Sequence, residues 1–335
     1  MRILFIGGTG NLSYDTSLRA MAEGHELYHL NRGNRTEKAI EGVHTLKADV
    51  ADEAAMKAVI GSKTFDVVVD FIAYTREQVE RDIRLFRGKT AQFVFISSAS
   101  AYRKPAFYHV ISESTPLHNP HWDYSRAKIA CEQLLQAEWV ENAFPMTIVR
   151  PSHTYSKGWI PTAWTSSDFT VAKRMLDGKE IIVHGDGQSL WTLTHTRDFA
   201  VGLMGLLGNP AALGEAVQIT GDEALTWESV HQTIAAVLGV KPRIVHIPSD
   251  FIAAVDPDIG QHFLGDKAYS ALFDCSKLKR LVPAFQTTIS FQAGVRESIE
   301  WMRKDPSRQK LDARIDSIID RVLAAWYRGM KAALD

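Results

Sequence analysis

MRILFIGGTGNLS, residues 1–13, is the stretch that decides the fold of this sequence. Its residues 3–6 (ILFI) carry no charge, which is typical of a strand that is buried on both faces of a parallel sheet. The apolar run ends in a cluster of three glycines. A buried strand that turns sharply into a helix predicts the first unit of an α/β sheet.

The glycines Gly7, Gly8 and Gly10 have no Cβ, so a pyrophosphate can approach the main-chain N–H groups at the start of the next helix. The spacing Gly7-x-x-Gly10-x-x-Ser13 departs from G-x-G-x-x-G, but the small Ser13 still permits close helix–strand packing. We predict a nucleotide-binding turn and a helix from about Leu12; the alternative is an ordinary Gly-rich turn. The predicted cofactor contacts here are Gly7, Gly8, Thr9, Gly10, Asn11 and Leu12.

Length and charge exclude some classes of partner. The chain has 335 residues, enough for about two domains, and its 38 Lys+Arg against 39 Asp+Glu give a net charge of -1. No global field therefore favours nucleic acid or an anionic membrane. The two cysteines, Cys131 and Cys275, lack metal-site spacing and suit a reducing compartment. Of 12 histidines, only His118 and His121 lie close together, and we predict no metal.

No apolar run approaches the length of a membrane span, and the N-terminus leads directly into a core strand. We expect a cytoplasmic enzyme without a membrane partner.

Strands and helices alternate through the first half of the chain. The predicted strands are 3–6, 25–30, 46–50, 65–72 and 92–96, and the predicted helices are 13–23, 53–60 and 77–86. This alternation predicts right-handed crossovers and an α/β fold with a doubly wound parallel (Rossmann) sheet, which binds ligands at the carboxyl ends of its strands.

The end of the second strand is where a dinucleotide's adenosine ribose is expected. A carboxylate there would bond the 2′-hydroxyl, whereas Arg32 follows Asn31 in this chain and could accept a 2′-phosphate. We therefore predict NADP, with NAD possible; the alternative for Arg32 is a solvated loop charge. Asp49 could accept from the adenine amino group or cap a helix. Further predicted cofactor contacts are Asn31, Arg32, Asp49, Val50, Phe71, Ile72 and Ala73.

Tyr124 and Lys128 carry the predicted chemistry. They are four residues apart in a helix that runs to about Asn142, for which Asp123 is a plausible cap, so both emerge on one face. A nearby ammonium and a bound nicotinamide would lower the tyrosine pKa, so that Tyr124 could exchange a proton with a substrate hydroxyl. Ser98, at the end of the fifth strand, would hold the same oxygen.

Lys128 would also bond the nicotinamide ribose, so Tyr124 and Lys128 count as cofactor contacts too. A second pair with the same spacing, Tyr327 and Lys331, has no strand or serine ahead of it and is interpreted as accidental.

These residues carry a resemblance to the extended short-chain dehydrogenase/reductase superfamily, in particular its sugar epimerase/dehydratase branch, over most of residues 1–305. The motifs Gly7-x-x-Gly10-x-x-Ser13 and Ser98-Ala-Ser-Ala-Tyr102 are similar to that branch's G-x-x-G-x-x-G and S-A-T-V-Y. Dehydratases carry Asp-Glu where Ala99-Ser100 stand here, which disfavours a sugar dehydratase.

The resemblance continues through residues 148–151 (IVRP), whose R-P turn opens the family's substrate region and adds Pro151 to the expected cofactor contacts. It implies that Ser100, His153 and Trp191 contact the substrate. His153 and Trp191 are also departures, because the family has Asn and a diphosphate-clamping Arg there, and an indole cannot replace a guanidinium. A nucleotide-sugar substrate is therefore less favoured than the hydride chemistry.

The remaining expectations concern organisation. We predict a Rossmann domain of residues 1–152, with returning segments near 189–220, and a smaller C-terminal α/β substrate domain over 153–335. Trp159, Trp164, Trp191 and His153 are candidate pocket residues, with core packing as the alternative. An amphipathic helix over 309–335 could be a partner or lid surface. By analogy with the superfamily, the helices 77–86 and 124–142 would pair into a homodimer.

The leading hypothesis is NAD(P)-dependent oxidation or epimerisation of a secondary alcohol on a sugar or nucleotide sugar. One alternative is an NADPH-dependent reductase or dehydrogenase of a smaller carbonyl or hydroxy substrate. The other is a non-catalytic cofactor- or RNA-binding scaffold, against which the presence of Ser98, Tyr124 and Lys128 argues.

Overall fold

A computed structural model describes residues 1–335, apart from the side chain of Thr36. The first half of the chain alternates strands and helices. In chain order it forms β1 (Arg2–Ile6), α1 (Asn11–Ala22), β2 (Glu26–Asn31), β3 (His44–Lys47), α2 (Glu53–Ile60), β4 (Phe65–Asp70), α3 (Arg76–Phe86), β5 (Thr90–Ile96), β6 (Val110–Ile111), α4 (Asp123–Asn142) and β7 (Met146–Pro151).

Shorter strands and more helices follow. They are β8 (His153–Tyr155), α5 (Thr170–Leu176), β9 (Glu180–His184), β10 (Leu190–Trp191), β11 (Leu193–His195), α6 (Thr196–Leu206), β12 (Ala216–Ile219), β13 (Leu225–Thr226), α7 (Trp227–Leu238), β14 (Arg243–Ile247), α8 (Ser249–Val255), α9 (Pro257–His262), β15 (Leu272–Phe273), α10 (Ser276–Leu281), α11 (Phe291–Arg303) and α12 (Ala313–Leu334).

The main sheet has seven strands in the order β12-β7-β5-β4-β1-β2-β3, and all its pairings are parallel. The chain moves outward from β1 to one edge and then crosses back to build the other, which is the doubly wound arrangement. The predicted α/β Rossmann fold is confirmed. The chain crosses back from β3 to β4, which pairs with β1, so the glycine turn lies beside the end of β4, at the switch point where such sheets bind ligands.

The side chains of β1 alternate between two hydrophobic clusters, one on each face of the sheet. Leu4 and Ile6 belong to one hydrophobic cluster, while Ile3 and Phe5 belong to another. Successive side chains of a strand point to opposite faces, so an uncharged run must be covered on both. Helices α2, α3 and α4 contribute to the first cluster, and α6 and α10 contribute to the second.

The C-terminal half has a third cluster, which the long last helix completes. Helix α12 buries Ile315, Ile318, Ile319, Val322 and Leu323 against the rest of the chain. The predicted amphipathic helix is present from residue 313. The chain itself covers the apolar face only as far as Leu323, whereas Tyr327, Met330 and Leu334 are exposed. The interpretation as a partner or lid surface is therefore wrong for the first half of the helix and stays a prediction for its end.

Two local predictions need correction. Trp122 occupies the cap position of α4, and Asp123 is the first helical residue, with its carboxylate paired with Arg126. The third strand ends at Lys47 instead of continuing to Val50, so Asp49 lies in the turn that follows. Among the described residues, no helix combines the length and hydropathy that a membrane crossing requires.

Candidate active site

The glycine turn is held by a small hydrogen-bonded ring. Gly7 has a φ of +83°, and a Cβ there would lie 2.4 Å from Ile72 Cγ2. The Gly10 N–H donates to Ser13 Oγ at 2.8 Å, and Ser13 Oγ donates to the Gly7 carbonyl at 2.7 Å. Ser13 therefore closes the turn from inside the first turn of α1, which explains why a small hydroxyl residue fits at this position.

We predicted a cofactor contact at Gly8, whereas the structure gives this glycine a packing role. A Cβ on Gly8 would lie 2.3 Å from the ring of His29, which is buried on β2 and contacts Ser17 Oγ at 2.8 Å through Nε2. Burial lowers the pKa of His29 to about 4, so the ring is neutral at physiological pH. The absence of a side chain at Gly8 makes room for this imidazole.

Two cavities lie along the carboxyl edge of the sheet and share Gly7, Gly10 and Ile72. One, of about 700 Å³, lies at the ends of β2 and β3. The other, of about 570 Å³, lies over β1, β4, β5 and β7.

Most predicted cofactor contacts line one of these cavities. Those lining the first are Gly7, Thr9, Gly10, Asn31, Arg32, Asp49, Val50 and Ile72. Those lining the second are Gly7, Gly10, Asn11, Leu12, Phe71, Ile72, Tyr124, Lys128 and Pro151. In the described structure Gly8 and Ala73 line neither. The glycine cradle and the two joined cavities fit a dinucleotide.

Ser98, Tyr124 and Lys128 all line the second cavity. Ser98 lies at the end of β5, where its Oγ is 2.9 Å from Ser100 Oγ. Tyr124 and Lys128 lie one turn apart on α4, with the Lys128 Nζ 5.8 Å from the centre of the Tyr124 ring. The structure thus brings the three predicted residues to one place.

The pKa values of this group bear on the predicted acidity of Tyr124. Burial raises the pKa of Tyr124 to about 12, although a hydrogen bond with Ser98 lowers it in part. Burial lowers the pKa of Lys128 to about 8. We expected the ammonium to make the phenol acidic, but Lys128 Nζ donates to the carbonyls of Ala73 and Ile96, both at 2.7 Å. The lysine is therefore committed to the backbone, and Tyr124 is a protonated phenol in the protein alone.

Acidic residues lie behind Lys128. The Asp70 carboxylate accepts from the N–H groups of Ile72 and Ala73 at 2.7 and 2.9 Å. Burial and the neighbouring Asp70 carboxylate raise the pKa of Asp82 well above its ordinary value. The Asp70 carboxylate raises the pKa of Lys128, in opposition to burial.

The predicted substrate residues lie in the wall of the second cavity. Ser100 is buried beside Ser98 and accepts from Ser125 Oγ at 2.8 Å. Trp191 is 4% exposed, lies 5.1 Å from the Trp227 ring, and its Nε1 donates to His153 Nδ1 at 3.3 Å. Ser100, His153 and Trp191 all line the second cavity.

Trp159 lines this cavity too. Trp164 instead packs in the C-terminal core and donates through Nε1 to the Ile182 carbonyl at 2.8 Å. Its interpretation as a pocket residue is wrong.

Sequence reasoning missed several residues of this cavity. They are Lys104, Trp122, Asp266, Lys267, Ala271 and Phe273. Lys104 and Trp122 come from the long segment between β5 and α4, and the others lie beyond residue 260. No spacing in the sequence links these parts of the chain, so only tertiary structure could assemble them.

A seven-stranded Rossmann sheet with a glycine turn and a Ser-Tyr-Lys group at its carboxyl edge defines a dinucleotide-dependent enzyme of the extended short-chain dehydrogenase/reductase type. Residues 3–220 match the family described as the NAD dependent epimerase/dehydratase family. This chain belongs to that family.

Similar proteins carry several activities. A 2'-dehydrokanamycin reductase of Streptomyces kanamyceticus is 24% identical over 287 residues, which are 85% of this chain and 80% of that protein. The chloroplast stem-loop binding protein of 41 kDa b of Arabidopsis thaliana is 27% identical over 266 residues, or 75% of this chain and 67% of that protein.

Solved structures show the same fold. Epimerase Mth375 of Methanothermobacter thermautotrophicus superposes with a TM-score of 0.74 at 16% identity, over 91% of this chain and 93% of that one. A dTDP-glucose 4,6-dehydratase of Bacillus anthracis, solved in complex with NAD, gives 0.72 at 18% identity, over 92% and 98%.

Proposed function

We propose that this enzyme transfers hydride between a nicotinamide dinucleotide and a secondary alcohol, or the matching ketone, of a sugar-like substrate. The observation that carries this proposal is that Ser98, Tyr124 and Lys128 line one cavity together with the glycine turn. We further propose NADP as the preferred cofactor, because Arg32 lines the adenosine end of the joined cavities.

The nicotinamide, when bound, supplies or accepts the hydride. The chain's own residues handle the proton. Tyr124 donates its phenolic proton to the substrate oxygen as a ketone is reduced, or takes it from the hydroxyl in the reverse direction. Ser98 holds that oxygen in line, and Lys128, whose ammonium the carbonyls of Ala73 and Ile96 hold in place, bonds the nicotinamide ribose.

Net reduction of a ketone is the second candidate function, and the protonation state of Tyr124 favours it. Burial keeps Tyr124 protonated at neutral pH, with a pKa of about 12, which suits a proton donor. Trp191 and His153 form a wall where the family's diphosphate-clamping arginine is expected, which argues for a substrate without a nucleotide. The 24% identical reductase from Streptomyces kanamyceticus is in line with this direction.

The test compares Tyr124→Phe with Tyr327→Phe, which removes the same hydroxyl from the accidental Tyr-x-x-x-Lys pair on the exposed side of α12. Both proteins are screened with deuterated NADPH and a panel of keto sugars, and deuterium in the product is read by mass spectrometry. Tyr124→Phe should lose roughly 10²- to 10⁴-fold in rate, because it removes the general acid, while Tyr327→Phe stays at the parent rate.

Equal rates for the two variants, or failure of both dinucleotides to bind, would refute the proposal. The nucleotide that copurifies separates the two directions. Tightly held NAD(H) favours epimerisation, whereas a site that fills only with added NADPH favours net reduction.

We also propose a cytoplasmic homodimer that pairs α3 and α4. Val140 at the end of α4 is 80% exposed, but the outer face of α3 is charged, with Arg84 and Arg87 paired to Glu53 and Glu138. Such an interface would be polar and salt-sensitive. Sedimentation at low and high salt tests it, and a monomer under both conditions refutes it.

A further inference from the structure

Lys104 is a buried lysine that faces the reaction cavity. It is 1% exposed and lines the same cavity as Ser98 and Tyr124. Its Nζ lies 4.0 Å from Asp266 Oδ1 and, among the described residues, has no hydrogen-bond acceptor. Burying a lysine almost completely without a hydrogen bond to its ammonium is costly, so this position calls for an acceptor that comes from the cavity.

Two more charged groups complete a cluster around Lys104. Asp266 and Lys267 belong to a π-helical turn, Phe263–Lys267, and their side chains are 15% and 12% exposed. Lys267 Nζ is 3.5 Å from Asp266 Oδ2 and 5.7 Å from the centre of the Trp122 ring. Two ammonium groups against one carboxylate leave this cluster with one net positive charge.

The cluster is fixed next to the reacting groups. The Asn119 side chain donates to the carbonyls of Ser100 and Gly265, at 2.9 and 2.6 Å, which ties the turn carrying Asp266 to the serine segment. The Lys267 carbonyl accepts from Trp227 Nε1 at 3.2 Å. Because these bonds come from buried groups, Lys104, Asp266 and Lys267 form a preorganised wall.

We propose that Lys104, Lys267 and Asp266 form a subsite for a carboxylate on the substrate, which makes the substrate class an acidic sugar or a related hydroxy or keto acid. This inference rests on the proposed function. A carboxylate is acceptor-only and carries one charge, so it would supply the missing acceptor for Lys104 and neutralise the cluster. Asp266 holds the two ammonium groups in place and competes with the substrate carboxylate for them.

Burial lowers the pKa of the Lys104 ammonium, Asp266 raises it in part, and Lys267 lowers it again. A bound anion acts in the same direction as Asp266 and holds the lysine in its charged form.

The test is equilibrium binding by titration calorimetry at pH 7 on the cofactor-loaded protein. The probes are D-glucuronate and its neutral amide, D-glucuronamide. Lys104→Met keeps the length of the side chain and should weaken glucuronate binding about tenfold or more, with the amide changed less than about twofold. Asp266→Asn should tighten glucuronate binding, since it removes the competing carboxylate. Lys241→Met, at an exposed lysine, is the control and should bind both probes like the parent.

Equal binding of the acid and the amide to the parent protein would overturn the subsite. So would equal weakening of both probes by Lys104→Met, or tighter binding of D-glucosamine that depends on Asp266, which would indicate a cation site. Opposite effects of Lys104→Met and Asp266→Asn separate an electrostatic role from a loss of structure.

Failure of this inference is distinguishable from failure of the proposed function. Lys104-dependent glucuronate binding without Tyr124-dependent hydride transfer refutes the proposed function and leaves the subsite standing. Tyr124-dependent hydride transfer to neutral keto sugars, with no preference for the acid, refutes the subsite alone.

Discussion

Gly8 and Gly10 are close in sequence but have different surroundings. A Cβ on Gly8 would meet the buried His29 ring at 2.3 Å, whereas a Cβ on Gly10 would meet Ser13 Oγ at 3.2 Å, which small shifts can accommodate. Gly8→Ala should therefore lower the free energy of unfolding by roughly 1–3 kcal/mol through overpacking.

Gly10→Ala is the matched control for this prediction. It should cost less stability but weaken dinucleotide binding, because the added methyl narrows the approach to the main-chain N–H groups. Urea unfolding and nucleotide titration of both variants measure the two effects. A Gly8→Ala protein as stable as the parent would contradict the proposed contact with His29.

At the residue scale, the structure brings the three predicted residues Ser98, Tyr124 and Lys128 to one cavity, and their reacting roles stay a prediction. In the protein alone Tyr124 is a protonated phenol, because burial raises its pKa to about 12. The spacing of Tyr124 and Lys128 follows from helix geometry, which is local. The pKa of Tyr124 depends on how much water the folded chain removes and on where Lys128 Nζ points. Both are decided by residues far away in sequence, such as the carbonyls of Ala73 and Ile96.

Helix α12 is an element whose contribution can be measured by itself. Ile319 is fully buried in the C-terminal core, and Arg174 fixes the helix by pairing with Asp316 and Asp320. Ile319→Ala should lower the free energy of unfolding by about 2–4 kcal/mol, because it leaves a cavity in that core.

Deletion of residues 328–335 is the control, since these residues are exposed and should contribute less than about 0.5 kcal/mol. Thermal or urea unfolding gives both values. If the deletion were as damaging as Ile319→Ala, the end of α12 would have a role that this structure does not explain.

At the element scale, predictions succeeded where a pattern was long and periodic. Helix α2 has the bounds expected from its apolar periodicity. The short pairs β10 with β13 and β15 with β6 were not predicted, because two residues are too few for a pattern. The cap of α4 was misplaced by one residue, which is the ordinary uncertainty of a helix boundary.

The molecule as a whole buries several neutral histidines. Burial lowers the pKa of each of five of them: that of His29 and of His195 to about 4, that of His153 and of His184 to about 3, and that of His231 in the same direction. Between pH 6.5 and these values the unfolded chain binds protons that the folded chain does not, so stability falls as the pH falls. Each histidine adds a slope of up to about 1.4 kcal/mol per pH unit.

Asp82 and Asp168 act in the opposite direction, since a raised pKa favours the folded state at low pH, but they are two groups against these five histidines and His262, whose pKa burial also lowers. We expect the urea midpoint to drop steeply from pH 7 to pH 5. His29→Gln should flatten this dependence, while His109→Gln, at an exposed position, should leave it unchanged. A midpoint that does not change with pH would contradict the burial of neutral histidines.

The domain boundary near residue 152 stays a prediction.

The sequence by itself determined the sheet, the glycine turn and the Ser98, Tyr124 and Lys128 group, because period, turn chemistry and helical spacing are local properties of a chain. Only the tertiary structure decided the outer half of the site. Lys104, Trp122, Asp266 and Lys267 are separated by up to 163 residues, and their juxtaposition arises from how the C-terminal half packs over the carboxyl edge of the sheet. Burial and charge at that junction are properties of the packed molecule, so no local pattern encodes them.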